Sequence, residues 1–303
     1  MTLGQPLLNA SARVIFGAAA PVLVDSPAGN GLRVDWTVEK VIGPTIDRAT
    51  ITIYNLNAVQ RGALAKVAGI PTPPGVPFVS LFTGWQGLTP ANLPGPQPEL
   101  LFTGDSIKFV PNRVSGTDII TIVEAGDGYA ALKDTPPSGL TSVGELIDIL
   151  IPRIVVTELG LAPNPAAFAF ISAKAAELQL LPFANFVGST PRDMLDALLS
   201  SLGLMWGVEK GFFVVYDGGL RNDLLPTVLS PDFGLLDWAT LDDGGLEFTA
   251  VSQARVVPGM QLLFQDELGV PLGPPMRCQS VTFTGSTVGA CTMQGVARKV
   301  RII

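Results

Sequence analysis

Two stretches near the start of the chain alternate apolar and polar side chains residue by residue. The first is Leu32-Arg33-Val34-Asp35-Trp36-Thr37-Val38-Glu39-Lys40. After a Gly43-Pro44-Thr45 turn the second follows as Ala49-Thr50-Ile51-Thr52-Ile53-Tyr54-Asn55-Leu56. A period of two puts one side of each strand in a core and leaves the other polar, so this part of the chain must be built from half-buried β-strands.

The pattern continues with interruptions. Asn57 can cap a short helix over 58–67 that stops at Gly69. Residues 76–82 read as a strand, and 86–98, rich in Gly, Pro, Asn and Gln, as a surface loop. Leu100–Phe102, Ser106–Val110 and Asp118–Glu124 read as three further strands, the last reached through a turn at Arg113-Val114-Ser115-Gly116. Composition shifts after Asp134-Thr135-Pro136-Pro137-Ser138-Gly139, a domain boundary. Thr141 or Ser142 caps a helix carrying Val143, Leu146, Ile147, Leu150 and Ile151 on one face, which Pro152 should stop or kink. The Ala-rich 163–181 fits a helix or an extended loop. Thr190-Pro191-Arg192-Asp193 is a helix start, with an N-cap, a proline at the first helical position and a carboxylate in the first turn. Met194, Leu195, Leu198, Leu199 and Leu202 recur behind it at helical spacing, and a hairpin over 204–216 follows Gly203.

The last eighty residues return to strands at 246–251, 261–264, 276–284 and 288–296. They echo the first third. Pro258-Gly259 opens a strand as Pro74-Gly75 does, and Gln279-Ser280-Val281-Thr282-Phe283 runs parallel to Asp105-Ser106-Ile107-Lys108-Phe109. Taken as real, the echo means two copies of one β module separated by a small α/β unit.

Only 45 of 303 residues are charged (19 basic plus 26 acidic), against 47% hydrophobic. An average chain of this length would carry roughly 76 charges. No run approaches the ~20 apolar residues that span a bilayer. The start, Met1-Thr2-Leu3-Gly4-Gln5-Pro6, lacks the basic and apolar regions of a signal peptide. The expectation is therefore a surface covered by other protein, not by lipid. A net charge of −7 and a pI near 4.6 argue against binding nucleic acid through its phosphates. The basic cluster Arg298-Lys299-Val300-Arg301 reads as a solvated tail.

Chemistry finds little purchase. The chain has no histidine, which removes Ser-His and Cys-His nucleophiles and every His-containing metal site. Cys278 and Cys291 cannot hold zinc alone; they flank a hairpin and are expected to be free thiols. Glu124 with Asp127, and Asp242 with Asp243, are the acidic pairs worth weighing as acid/base groups or, for the second pair, as calcium ligands. Both read more simply as polar turns. No residue is assigned a catalytic, cofactor-binding or metal-binding role.

Several of these pieces carry a resemblance. Trp36-Thr37-Val38-Glu39-Lys40, Ala49–Asn57, Leu101-Phe102-Thr103-Gly104-Asp105-Ser106-Ile107, Glu124–Leu132 and Thr190–Tyr216 with Leu202-Gly203-Leu204-Met205-Trp206 at its centre appear in an order and spacing similar to that of the baseplate hub proteins of tailed bacteriophages. Those proteins are related to the hub portion of the type VI secretion spike. The resemblance implies a mainly β (α+β) fold with two tube-like β-barrel modules and a small α/β unit between them. Its domains would be 1–134 (first barrel), 135–220 (α/β unit with helix 190–202 and hairpin 204–216) and 221–303 (second barrel and C-terminal tail). It also implies a homotrimeric ring of six modules, in the virion tail baseplate and assembled in the bacterial cytoplasm. The ring would join the tail tube or a distal tail protein to a central spike, next to tape measure and baseplate wedge proteins, around the path of the DNA. An acidic lumen would then let phosphates pass without sticking. The competing readings are a receptor-binding or minor tail protein built of β-sandwiches, and a tail-borne cell-wall hydrolase. The first should expose more aromatics than three Tyr and four Trp, and the second should show an acid/base cluster.

Overall fold

The computed structural model describes residues 9–17, 22–26, 31–68, 79–86, 99–114, 118–133, 135, 146–177 and 189–300. The N-terminal part contains strands β1 (Asn9–Phe16), β2 (Val22–Ser26), β3 (Val34–Val41) and β4 (Arg48–Tyr54), helix α1 (Ala58–Ala68), and strands β5 (Val79–Gln86), β6 (Glu99–Arg113) and β7 (Ile119–Gly126). A helical middle follows with α2 (Tyr129–Lys133), α3 (Ile147–Arg153), α4 (Pro165–Glu177) and α5 (Pro191–Ser201), closed by the hairpin β8 (Leu204–Glu209) and β9 (Phe212–Asp217). The C-terminal part contains β10 (Thr227–Leu229), β11 (Leu235–Thr240), β12 (Leu246–Val251), β13 (Gln261–Phe264), β14 (Met276–Ser286) and β15 (Cys291–Lys299).

The period-two readings hold where they were sharpest. Val34, Trp36 and Val38 of β3 and Ala49, Ile51 and Ile53 of β4 are buried, opposite one another across an antiparallel ladder. Asp35, Thr37 and Glu39 face the other way, opposite Thr52, Thr50 and Arg48. Leu100–Phe102 and Ser106–Val110 are not separate strands. They form one 15-residue strand, β6, that serves two layers: residues up to Gly104 pair with β5, and those from Asp105 pair with β7. The transfer happens at Gly104, where a Cβ would lie 2.6 Å from the carbonyl oxygen of Gly126, so the strands approach too closely there for any side chain.

Thirteen strands join in one sheet among the described residues, in the order β11-β12-β15-β14-β3-β4-β7-β6-β5-β1-β2, with β13 also on β14 and β10 on β13. Within it one arrangement occurs twice. The run β3-β4-β7-β6-β5 has the same sequential order as β11-β12-β15-β14-β13. In both, the third-from-outside pair carries a bulge at the echoed sequence: between Ser106 and Lys108 in β6, and between Cys278 and Ser280 in β14. The two runs are fused by an antiparallel ladder of β14 on β3, from Ser280↔Val41 to Ser286↔Asp35. No closed barrel forms among the described residues, because the two ends of the strand order, β11 and β2, are not paired. One hydrophobic core runs through both repeats, from Val14 and Phe16 to Met293 and Ala297.

The middle of the chain has its own core, of Leu150, Ile151, Ile154, Met194, Leu195, Leu198, Trp206 and Phe213 among others. Helix α5 is the one its Thr190-Pro191 start predicts: the Thr190 hydroxyl accepts from the amide of Asp193 at 3.2 Å. Helix α3 is described from Ile147; the expected cap at 141–142 lies outside the described residues. Pro152 does not stop it. The helix runs through Pro152 and widens into a π turn over Ile154–Glu158, where Leu159 N–H reaches back five residues to Ile154. Pro152, the sixth residue of α3, removes an interior bond to the carbonyl of Asp148, and burial of Leu150, Ile151, Ile154 and Val155 holds the segment helical on either side. The Ala-rich stretch is helical as α4.

Candidate assembly site

The eight strands from β11 to β6 present one polar face. By register, β3 contributes Asp35, Thr37 and Glu39, β4 Arg48, Thr50 and Thr52, and β14 Thr282, Thr284 and Ser286. Glu124 of β7 lies on this face opposite Lys108 of β6, with an ion pair of 3.5 Å. Arg33 pairs with Asp35 at 2.7 Å and sits 4.5 Å over the Tyr54 ring. Hydroxyls are frequent on this surface, and Glu247 of β12 and Asp237 of β11 lie on it as well.

Among the described residues, the backbone is open at both ends of these eight strands. β11 pairs, among the described residues, on one side only, with β12, and its residues from Leu236 onward are exposed; Leu236 is 51% and Trp238 40% accessible. The half of β6 from Asp105 to Arg113 pairs, among the described residues, only with β7. It carries Pro111, a residue that sheets accept at edges. The equivalent half of β14 is not open, because β3 covers it. Open edges are the places where a sheet recruits another chain.

A buried cluster of charges fastens the α/β unit to this sheet. The β8–β9 hairpin turns through Lys210 and Gly211, both at positive φ (54° and 80°), the geometry of a two-residue type I′ turn. Asp127, just past β7, caps that turn: its carboxylate accepts from the Gly211 amide at 2.9 Å and also from the Lys210 amide. Burial pushes the Asp127 carboxyl up to about 7, against the pull of those two N–H groups and of Lys40. The Asp127 amide in turn donates to the carbonyl of Asp47, whose own carboxyl is raised well above the usual range by burial. Glu209, at the end of β8, lies 3.6 Å from Lys40 Nζ of β3 and is in contact with Arg221. Arg221 also holds Asp223 at 2.6 Å. The Lys40 side chain is 1% accessible, and its Nζ makes no hydrogen bond. Tyr216 is buried beside the cluster, its hydroxyl pKa raised by burial and by Glu209. Backbone approach is equally close. A Cβ on Gly207 would meet the Gly43 carbonyl at 2.8 Å, and one on Gly259 the Tyr216 ring at 2.7 Å.

The sequence-level candidates for chemistry are dispersed. Asp127 is a buried cap and Glu124 an outward ion-pair partner, so the two do not face a common cleft. Asp243 accepts from the Gly245 amide at 3.1 Å and pairs with Arg298. Arg298 and Lys299 therefore belong to β15 and not to a free tail. No group of three or more His, Cys, Asp or Glu side chains able to hold a metal occurs among the described residues. Cys278 and Cys291 are both free and buried. They sit at opposite ends of the β14–β15 ladder, opposite Ala297 and Gly285 respectively. Their thiols are pushed up to about 12 and about 11, in each case by burial. Sequence reasoning missed Lys40, Glu209 and Arg221, since nothing in alternation or spacing links residues so far apart.

No family model matches the chain, and no curated protein matches it in sequence. Solved structures do. A tail protein from Neisseria meningitidis superposes with a TM-score of 0.53 at 12% identity, over 96% of this chain and 97% of that one. The 43 kDa tail protein of prophage MuSo2 from Shewanella oneidensis gives 0.56 at 14%, over 95% and 98%. An E. coli component of the type VI secretion system, itself structurally similar to T4 bacteriophage tail proteins, gives 0.52 at 11%, over 89% and 74%. The chain has the fold shared by these phage tail proteins and type VI secretion components, nearly from end to end.

Proposed function

We propose that this chain is a structural, non-enzymatic hub of a phage tail. Three copies form a ring between the end of the tail tube and the central spike, and the ring surrounds the path of the DNA. The virion baseplate is its place and the host cytoplasm its site of assembly. Residues 1–134 and 221–303 are two tube-like modules, and 135–220 is the α/β unit set between them.

The observation that carries this reading is the repeat and its seam. Within one chain the outer edge of β14 is covered by β3, the first strand of the other repeat. The equivalent pair, the outer half of β6 and the strand β11, is left open among the described residues. Pairing β6 of one copy with β11 of the next repeats the internal seam between chains. Such a head-to-tail contact closes into a ring, and three copies give six quasi-equivalent modules. Pairing would also cover the exposed Trp238 and Leu236. The polar face of the eight strands then lines the passage. Its hydroxyl cover, together with carboxylates such as Glu39, Glu247 and Asp237, gives phosphates little to adhere to, as the acidic lumen expected from net charge requires.

Native mass spectrometry tests the reading, with the wild-type chain expected as a trimer that binds tube and spike proteins. Trp238→Lys, on the open edge, is expected to yield monomers that keep the native circular dichroism. A wild-type chain that stays monomeric at high concentration and ignores tail components refutes it.

A further inference from the structure

The two repeats hold one dipeptide in two states. Each repeat has its bulge, between Ser106 and Lys108 in β6 and between Cys278 and Ser280 in β14. One row past the bulge, the ladders read Phe109, Val123, Ile51 and Trp36 in the first repeat, and Val281, Gly295, Phe248 and Trp238 in the second. Asp35-Trp36 and Asp237-Trp238 are therefore the same residues at the same place in the repeated order. The first pair is closed by a neighbouring strand. Trp36 is buried opposite Gly285 of β14, where a Cβ would run into its ring, and Asp35 accepts from Ser286 Oγ across that ladder at 2.5 Å. The second pair has no strand on its outer side among the described residues. There the Trp238 ring is exposed, and Asp237 turns back on its own strand to accept from the Trp238 amide at 2.8 Å.

That hydrogen bond guards an edge. Leu241 N–H donates to Gly245 O at the end of the β11–β12 ladder, so by alternation Trp238 and Thr240 turn their backbone groups outward. The Asp237 carboxylate occupies the Trp238 donor that a passing strand would use. The edge of β6 is guarded by a different device. Val114 N–H donates to Asp118 O on the β7 side, so Pro111 and Arg113 face outward, and Pro111 has no N–H to offer. Counted from the bulge, Gly285 and Ser286 of β14 correspond to Arg113 and Val114 of β6. In a seam equivalent to the internal one, the residue facing Asp237-Trp238 is thus an exposed arginine. A guanidinium can pair with a carboxylate and stack on an indole.

We infer that Asp237-Trp238 is a latch that opens onto Arg113 of a second copy of this chain. Asp237 leaves the Trp238 amide for that guanidinium, and the Trp238 ring stacks on the same group. The inference rests on the ring reading above and adds the register and the residues that select it. In this register Ala239 lies opposite Asn112, as Thr37 lies opposite Thr284 within the chain, a non-hydrogen-bonded pair whose side chains come close enough for a disulfide. On mild oxidation, Ala239→Cys combined with Asn112→Cys is expected to give disulfide-linked trimers on a non-reducing gel. Neither single variant should do so, nor should Ala239→Cys combined with Val110→Cys, which is two residues out of register. Asp237→Arg and Arg113→Asp are each expected to weaken trimer formation about tenfold or more by setting like charges together. Their combination is expected to restore most of it, which a merely structural role of either residue would not produce. A trimeric wild type in which Val110→Cys links and Asn112→Cys does not, or in which the double exchange is no better than the singles, overturns the latch and leaves the ring reading standing. A monomeric wild type overturns both.

Discussion

Glu209 is the member of the buried cluster whose loss should cost most. It faces two cations, and these differ in what else they hold. Arg221 keeps Asp223 at 2.6 Å, whereas Lys40, 3.6 Å away, has no other ion pair within 4 Å among the described residues. Glu209→Gln therefore strands a buried ammonium. At an effective dielectric near 20 the 3.6 Å pair corresponds to roughly 4–5 kcal/mol, in line with the ~3–5 kcal/mol seen when one partner of a buried pair is removed. Lys40→Met does the opposite. It deletes a group that is desolvated and makes no hydrogen bond, and leaves Glu209 paired with Arg221; its effect should stay within about 1 kcal/mol of wild type. In the double variant the stranded charge is gone, so about half or more of the Glu209→Gln loss should return. Hydrogen exchange at the β8–β9 amides reads the opening of this joint, and about 3 kcal/mol there is roughly a hundredfold faster exchange. Equal exchange in Glu209→Gln and wild type, or a larger effect from Lys40→Met, refutes the reasoning.

Asp127 adds a pH dependence to the same joint. Its folded-state pKa of about 7 lies above the ordinary 3.8, so the stabilisation is full below about pH 4 and is lost as pH rises through 7. Protection factors at Lys210 and Gly211, taken relative to the intrinsic base-catalysed rate, should fall over that window, and the fall should be absent in Asp127→Asn. Thr190→Ala should cost about 1 kcal/mol through loss of the α5 cap, read by urea denaturation. Both thiols should resist a soluble thiol reagent at pH 8 in the native chain and react on unfolding, because each is buried and raised.

Local patterns were readable in the sequence wherever one neighbour decides a residue's place. Alternation over Val34–Glu39 and Ile51–Ile53 located β3 and β4, and the cap, proline and leucine spacing located α5. β6 was misread because Thr103-Gly104-Asp105 looks like a turn, whereas the glycine marks the point where a continuous strand leaves one layer for another. β1 escaped notice because its buried side begins with two small residues, Ala10 and Ala12, and its alternation ends in the apolar run Val14-Ile15-Phe16. The joint was invisible for a different reason: Lys40, Asp127 and Glu209 come from separate strands, and each alone reads as a surface charge. The faint echo between residues 105–109 and 279–283 proved the most informative pattern, as both segments lie at the bulge of the same strand in the repeated order.

The ladder between β14 and β3 has a mechanical corollary. In any ring built from this chain, every second seam is tied by the polypeptide itself and cannot slip, reorder or fall apart without unfolding a core. The remaining seams are held by pairing alone. Such a ring would come apart in whole-chain segments, never in single modules, and a strain applied around its circumference would concentrate at half of its joints.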